Sequence, residues 1–215
     1  MKVLKYFSRQ ARKPSGLYGR FYMSRIFDKG NRVLNDLVLS TMDLTGNEDV
    51  LEIGFGTGAM LGRVADQLDR GRTLGVDFSP TMVSKATQRN RTHIRSGRME
   101  LRSGDFMETD FGDRRFDRIF SVNTLYFWPD ARAGIARLAG LLTPTGRLTL
   151  AFQKKDDLKA MPLDRSVFRF FTVDEVRRMF LEDGKLDEIQ VHVCRSNGPL
   201  GFCMTACRGG GVHGH

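Results

Sequence analysis

The sequence predicts an α/β fold: a seven-stranded, mostly parallel sheet with helices on both faces, an antiparallel C-terminal edge and an N-terminal helical lid. From residue 49 onward, short apolar runs alternate with amphipathic helical patterns, which is typical of parallel strands joined by right-handed crossovers. Only six residues separate the last two apolar runs, so we expect those two strands to form a hairpin. The first 45 residues have a helical pattern.

A chain of 215 residues can form one sizeable domain with a single core but is short for two. We therefore divide it into a lid or cap over residues 1–45, a sheet domain over residues 46–208 and a disordered tail over residues 209–215. Within the lid, an apolar face from Val3 to Ala11 predicts a first helix, and a second helix is predicted over residues 33–42.

The sheet domain contains seven predicted strands, at residues 49–53, 72–77, 98–103, 116–122, 147–152, 186–194 and 201–208. The predicted helices cover residues 59–68, a segment that starts at Ser79, a segment through residues 135–142, and residues 172–181. Ser79 is predicted to cap its helix with Pro80 in the first turn, and Thr172 with Glu175 predicts a capping box. Residues 153–171 are expected to be irregular.

Charge and cysteine content restrict the classes of protein. The net charge is +9, and the first 30 residues hold eight Lys or Arg against one acid, a basic arm suited to a polyanion, to an anionic membrane surface or simply to solvent. The chain has no apolar run of about 18 residues, so we expect no membrane-spanning helix. Three cysteines near the C-terminus do not make a disulfide framework, which favours a reducing, cytoplasmic compartment. We expect no metal site, because Cys203 and Cys207 lack a second ligand pair.

The stretch VLEIGFGTGAML, residues 50–61, has three glycines at alternate positions directly after the first predicted strand. Ligands of doubly wound sheets bind beyond the carboxyl ends of the strands, so these glycines indicate a nucleotide site. The pattern G-x-G-x-x-A, followed by Asp77 at the end of the second strand, also fits a nicotinamide dinucleotide. The glycines therefore leave two cofactors open.

Glu52 favours one of the two. A carboxylate at the end of the first strand would repel a pyrophosphate by about 1–4 kcal/mol at roughly 4 Å. S-adenosylmethionine carries a sulfonium and an ammonium group and no phosphate, so it tolerates an acid there. An alternative is that Glu52 only caps nearby backbone amides. After the third strand, Asp105 is placed to accept from an adenine amino group and Phe106 to lie against the ring.

These motifs, in this order, resemble the class I S-adenosylmethionine-dependent methyltransferases, which have a Rossmann-like fold. The matching stretches are VLEIGFGTGAML, GVDFSPTMVSKA, GDFMETDF, FDRIFSVNTLYFWPD and LLTPTGRLTLAF. The resemblance is close over residues 48–152 and holds only in outline for the last third. It implies that residues 46–208 form a methyltransferase domain that binds S-adenosyl-L-methionine and releases S-adenosyl-L-homocysteine.

The resemblance also implies a role for each matched residue. The glycines would make room for the methionine portion of the cofactor, with Glu52 near its amino group and Asp77 on the ribose hydroxyls. Asn123 would lie near the sulfonium and the incoming nucleophile. The implied cofactor-binding residues are Glu52, Gly54, Gly56, Gly58, Asp77, Phe78, Met82, Asp105, Phe106 and Asn123.

The acceptor is expected to be a small molecule. The stretch SVNTLYFW stands where methyltransferases of exocyclic amines in nucleic acid have Asn/Asp-Pro-Pro-aromatic, so nucleic acid is not the expected partner. Tyr126 and Trp128 could line an apolar pocket, closed over by Tyr18 and Tyr22, although packing in the core is an alternative for such aromatics. Asn123 and Tyr126 are the candidate catalytic residues, and neither of the histidines His93 and His192 is expected to be a general base.

Three functions remain open on these grounds. The first is a methyltransferase acting on a small, partly apolar acceptor by in-line methyl transfer. The second is an RNA or protein methyltransferase that docks through the basic arm. The third is a non-catalytic cofactor binder or a nicotinamide oxidoreductase. Reversible contact of the arm with a membrane is a further alternative, and the sequence does not predict the oligomeric state.

Overall fold

A computed structural model describes residues 32–160, 168–195 and 200–209 of the chain. Its helices are α1 (Arg32–Thr41), α2 (Ala59–Ala65), α3 (Pro80–Arg89), α4 (Arg91–Arg95), α5 (Ala131–Gly140), α6 (Lys155–Ala160) and α7 (Val173–Glu182). Its strands are β1 (Asp49–Ile53), β2 (Arg72–Asp77), β3 (Met99–Ser103), β4 (Phe116–Val122), β5 (Leu142–Gln153), β6 (Leu186–Cys194) and β7 (Gly201–Arg208). A short 3-10 turn covers Leu125–Phe127.

The seven strands form one sheet in the order β3-β2-β1-β4-β5-β7-β6. The first five are mutually parallel, whereas β7 pairs antiparallel with both β5 and β6. This confirms the predicted fold, including the C-terminal pair of antiparallel strands. The direction of strand progression reverses between β1 and β4, so the carboxyl ends of these two strands border the topological switch point.

Apolar residues are buried on both faces of the sheet. Leu51 belongs to a cluster that packs against α5 and α7, whereas its neighbour Val50 belongs to a cluster that packs against α1 and α2. Because successive side chains of a strand point to opposite faces, a central strand covered on both sides is apolar at nearly every position. The burial pattern of β1 follows this rule, and its one buried acid is Glu52.

Several element boundaries differ from the prediction. Helix α2 ends at Ala65 because the next bonds, from Gln67 N–H to Val64 C=O and from Leu68 N–H to Ala65 C=O, span three residues instead of four. Strand β5 starts early, at Leu142, since Leu142 already pairs with Phe116 before the register shifts.

Two short helices were not predicted: α6 lies in the segment that was expected to be irregular, and α4 follows α3 where no separate helix was expected. Their five and six residues are too few to show a helical period. The predicted capping box of α7 is confirmed: Glu175 N–H donates to Thr172 Oγ1 and Thr172 N–H donates to Glu175 Oε2. Ser79 is the N-cap of α3, but its side chain makes no capping hydrogen bond.

Parts of the predicted lid and tail cannot be compared with the structure. Residues 1–31, which include Tyr18 and Tyr22, lie outside the described residues, as do residues 210–215. Within the lid, α1 agrees with the second predicted helix. Among the described helices, none has the length and apolar character needed to cross a membrane.

Candidate functional site

The three glycines after β1 all have left-handed backbone conformations, with φ of 73°, 54° and 71° for Gly54, Gly56 and Gly58. They differ in what a Cβ atom would meet. At Gly54 it would collide with the side chain of Thr124, and at Gly58 it would lie 2.6 Å from Asn90 Nδ2. At Gly56 there is nothing within 4 Å. Close packing within the protein therefore accounts for Gly54 and Gly58, and only Gly56 borders open space.

The end of α3 holds this glycine loop from outside. Asn90 is buried, and its Nδ2 donates to Gly58 C=O at 2.9 Å and to Ala86 C=O at 3.1 Å. Arg89 donates to the hydroxyl and the carbonyl oxygen of Thr57. Neither residue was expected from the sequence, because an Arg-Asn pair at the end of a helix does not by itself point to a loop about 30 residues earlier.

Asp77, at the end of β2, is buried against the same loop. Its Oδ2 accepts from Gly56 N–H and its Oδ1 accepts from Ser79 N–H, each at 2.8 Å. Burial raises the pKa of Asp77 from 3.8 to about 6, although these two hydrogen bonds act in the opposite direction. Each carboxylate oxygen has a further lone pair for a ligand.

Glu52 is buried on the last part of β1. It accepts a hydrogen bond from the backbone N–H of Leu61 in the first turn of α2. The N-cap of α2 is Gly58, which has no side chain that could accept this hydrogen bond. The capping role considered above is therefore real. Its Oε2, however, is buried without a hydrogen-bond partner among the described residues. Burial and, secondarily, the nearby charge of Asp77 raise the pKa of Glu52 well above its ordinary value.

Of the two residues after β3 that were expected to contact adenine, Phe106 is buried in the protein core. Phe106 is buried, and its ring centroid lies 4.9 Å from that of Trp128. Trp128 in turn packs against Gly134 of α5, so both aromatics belong to the core. Asp105 accepts from Met107 N–H at 2.9 Å within its own turn. The roles assigned to these three side chains stay predictions.

The two implied cofactor-binding residues that follow β2, Phe78 and Met82, differ in exposure. Phe78 is half-buried directly after Asp77, whereas Met82 on α3 is only 1% exposed. The two histidines among the described residues lie apart from this region: His93 is on α4, with its Nε2 3.1 Å from Asp66 Oδ1, and His192 is on β6 at the edge of the sheet.

Asn123 and Tyr126 form one hydrogen-bonded group at the carboxyl ends of β4 and β5. Asn123 has a φ of 56°, and its N–H donates to Ala151 C=O at 2.8 Å. The Tyr126 hydroxyl donates to Asn123 Oδ1 at 3.1 Å and accepts from Gln153 N–H. Burial raises the pKa of Tyr126, so the phenol keeps its proton. Nothing in the sequence around Gln153 indicated this contact, since its backbone makes it.

The structure thus places Gly56, Asp77 and Glu52 together near the carboxyl ends of β1 and β2. Asn123 lies at the end of the neighbouring strand β4. In the described part of the chain, no cluster of three or more His, Cys, Asp or Glu residues could hold a metal ion. The three cysteines are free, two of them buried in β6 and β7.

Comparison with known proteins indicates the class of this domain. Residues 50–146 match a family model described as a methyltransferase domain. The uncharacterized methyltransferase YdaC of Bacillus subtilis (strain 168) is 24% identical over 176 residues, which cover 82% of this chain and 92% of YdaC. The nocamycin O-methyltransferase of Saccharothrix syringae is 32% identical over 114 residues, 53% of this chain and 40% of that protein. The chain thus spans less than half of the latter relative.

Among solved structures, magnesium protoporphyrin IX methyltransferase from Synechocystis PCC 6803 with bound S-adenosylmethionine superimposes with a TM-score of 0.69. The two chains are 19% identical, and the match covers 97% of this chain and 96% of that one, so it shows a shared fold. The matched domain, the methyltransferase relatives and the shared fold together support a class I S-adenosylmethionine-dependent methyltransferase.

Proposed function

We propose that this enzyme transfers a methyl group to a small, partly apolar acceptor by in-line displacement in the cytoplasm. S-adenosylmethionine supplies the methyl group on a positively charged sulfur. The reaction needs the donor and the acceptor held in line, so the task of the chain is to bind and orient them.

The observation that carries the cofactor assignment is the open space at Gly56, whose N–H donates to the buried carboxylate of Asp77. Asp77 already orients its carboxylate through Gly56 N–H and Ser79 N–H, and its remaining lone pairs suit the ribose hydroxyls. The Oε2 of Glu52, which has no hydrogen-bond partner among the described residues, suits the cofactor's ammonium group, whose positive charge would favour the ionised form of this buried carboxyl. A pyrophosphate would instead face two acids.

The other proposed contacts follow the strand order. Asn123, at the end of β4 next to β1, is proposed to lie near the sulfur, and Phe78 is proposed to lie beside the adenine. Met82, Asp105 and Phe106 complete the adenine side. Met82 and Phe106 are buried, so we propose that they support the adenine ring from the protein side.

On the acceptor side we propose Tyr126 and Trp128 with a lid that includes Tyr18 and Tyr22. Support for a small acceptor comes from the names of relatives, the nocamycin O-methyltransferase and the 27-O-demethylrifamycin SV methyltransferase of Amycolatopsis mediterranei (strain S699), which is 28% identical over 174 residues. The motif after β4 supports it too, because it lacks the Asn/Asp-Pro-Pro-aromatic pattern.

Two measurements test this function. Isothermal titration calorimetry with S-adenosylhomocysteine and with NAD should show binding of the first alone, and Asp77→Ala should weaken it by about 1.5–3 kcal/mol. An acceptor screen with phenols, alcohols, amines and thiols should then show release of S-adenosylhomocysteine. Binding of NAD in place of S-adenosylhomocysteine would contradict the cofactor assignment, and turnover with RNA or protein alone would contradict the small acceptor.

A further inference from the structure

We propose that Tyr126 is a positioning residue, whose buried hydroxyl holds the side-chain amide of Asn123 in one orientation at the carboxyl end of β4. The inference rests on the proposed function, because it takes Asn123 to lie beside the sulfur of the bound cofactor. It assigns Tyr126 a role through Asn123 and not through direct contact with the reacting atoms.

The donors and acceptors available at the Tyr126 hydroxyl determine the orientation of the Asn123 side-chain amide. A phenol hydroxyl has one proton to donate and lone pairs to accept with. The N–H of Gln153, the last residue of β5, donates to the Tyr126 oxygen. The single hydroxyl proton is then directed at Asn123 Oδ1, 3.1 Å away. The amide oxygen of Asn123 therefore faces Tyr126, and its NH2 group is turned to the opposite side.

The backbone of Asn123 is also restrained. A φ of 56° is unusual for a residue other than glycine and persists where the surroundings hold it. The Asn123 N–H donates to Ala151 C=O, and the side chain is tied through Tyr126 to Gln153, so both ends of the residue are attached to β5. Such restraint lowers the cost of orienting the amide when a ligand binds.

The position of the Tyr126 ring does not depend on its hydroxyl. Its ring centroid lies 6.1 Å from that of Phe127 and 6.4 Å from that of Phe168. Its C=O accepts from Arg169 N–H at 2.9 Å. Replacement by phenylalanine should thus leave the ring in place and remove only the hydrogen bond to Asn123 and the acceptor for Gln153 N–H.

The test compares S-adenosylmethionine with S-adenosylhomocysteine, which differ only in the methyl group and the charge at sulfur. Calorimetry gives the ratio of their dissociation constants. We expect Tyr126→Phe to move this ratio toward one by about threefold or more, since an amide that has lost the hydrogen bond from the Tyr126 hydroxyl is oriented less precisely and distinguishes the two sulfur groups less well. The matched control is Phe168→Leu, which perturbs the packing around the ring but keeps the hydroxyl. It should change both constants by the same factor.

A double-variant cycle separates orientation from general damage. Asn123→Gly removes the amide and suits the left-handed backbone, so it should fold and show the same altered ratio. Adding Tyr126→Phe to it should change the ratio no further. As a spectroscopic readout, the Asn123 side-chain amide signals in a 15N–1H spectrum should differ between the two complexes of the unmodified enzyme and converge in Tyr126→Phe.

The outcomes separate this inference from the function on which it rests. If the unmodified enzyme binds neither compound, the proposed function fails and the inference fails with it. If it binds both and the ratio is unchanged in Tyr126→Phe or in Asn123→Gly, the function stands and the positioning role is wrong. A ratio that changes equally in Phe168→Leu would show that packing alone matters, which also overturns the inference. Should Tyr126→Phe not fold, an unchanged ratio of dissociation constants in Asn123→Gly would still overturn the inference.

Discussion

Gly56 differs from the glycines on either side of it in what a Cβ atom would meet. Gly54 and Gly58 are close to Thr124 and to Asn90 with Ala86, whereas the space at Gly56 is open. All three have positive φ, so an alanine would be strained at each position. A ligand that approaches the loop would be blocked only at Gly56.

We therefore expect two matched variants to differ in their loss of stability and in their loss of ligand binding. Gly56→Ala should cost about 1–2 kcal/mol of the free energy of unfolding, from backbone strain alone, but should abolish measurable binding of S-adenosylhomocysteine. Gly58→Ala adds a steric collision and should cost about 2–4 kcal/mol. Urea unfolding and calorimetry on both variants provide the measurements. Unchanged affinity in Gly56→Ala would place the cofactor elsewhere.

We expect Asp77 to make the affinity for the cofactor depend on pH. Its pKa of about 6 in the cofactor-free protein means that below pH 6 the carboxyl must lose a proton before it can bind as a carboxylate. Affinity for S-adenosylhomocysteine should therefore fall about tenfold between roughly pH 7 and pH 5. Asp77→Asn removes this titration, so its affinity should be weaker and should depend less steeply on pH over this range. A pH-independent affinity in the unmodified enzyme would contradict the assignment of Asp77 to the ribose.

At the scale of elements, α3 serves two purposes. Its first turn starts beside Asp77, and the residues at its other end, Arg89 and Asn90, hold Thr57 and Gly58 in the glycine loop. Helix α2, which begins at Gly58, has its first turn capped from β1 by Glu52. The loop is thus held by three neighbouring elements before any ligand arrives.

Asn90→Ala should loosen the loop. We expect it to lower the free energy of unfolding by about 1–3 kcal/mol and to raise the dissociation constant for S-adenosylhomocysteine about three- to tenfold, because the loop is less ordered before binding. Thr87→Ala is the control: Thr87 is exposed one turn earlier on α3 and bonds only Val83 C=O in its own helix. An equal loss of affinity in Thr87→Ala would mean that α3 as a whole, and not Asn90, supports the loop.

At the scale of the whole molecule, the site residues come from the ends of different strands, whereas most of the excess charge lies in the N-terminal arm. The first 30 residues contain eight basic residues and one acid, out of a net charge of +9 for the chain. The arm is the feature that would favour an RNA or protein substrate over a small molecule, and it also suits an anionic membrane surface.

RNA binding at different salt concentrations distinguishes these functions. If the arm neutralised about six phosphates, the logarithm of the binding constant would fall with the logarithm of the salt concentration at a slope of about −4 to −5. We expect weak binding that is lost near physiological salt, about 150 mM. A variant without residues 1–24 provides the control. Tight, salt-steep binding that needs the arm would favour the RNA methyltransferase and contradict the small acceptor.

The fold could be predicted from the sequence because each strand of a buried sheet is a short apolar run. The order of such runs and helices then restricts the topology. All seven strands were expected at or close to their observed positions. The short helices α4 and α6 were missed since five or six residues carry no periodic signal, and the early start of β5 depends on a pairing between Leu142 and Phe116.

For the site, the sequence by itself predicted Gly56, Asp77 and Glu52 as residues of one cofactor site, because their spacing around two strands is specific. Only the tertiary structure decided which glycine borders open space, that Glu52 also caps α2, and that Phe106 packs on Trp128 in the core. It alone joined Tyr126 to Asn123 and Gln153, and Asn90 to Gly58. Some of these contacts are made by backbone groups and others join residues that are distant along the chain. Neither kind of contact leaves a recognisable pattern in the amino-acid sequence.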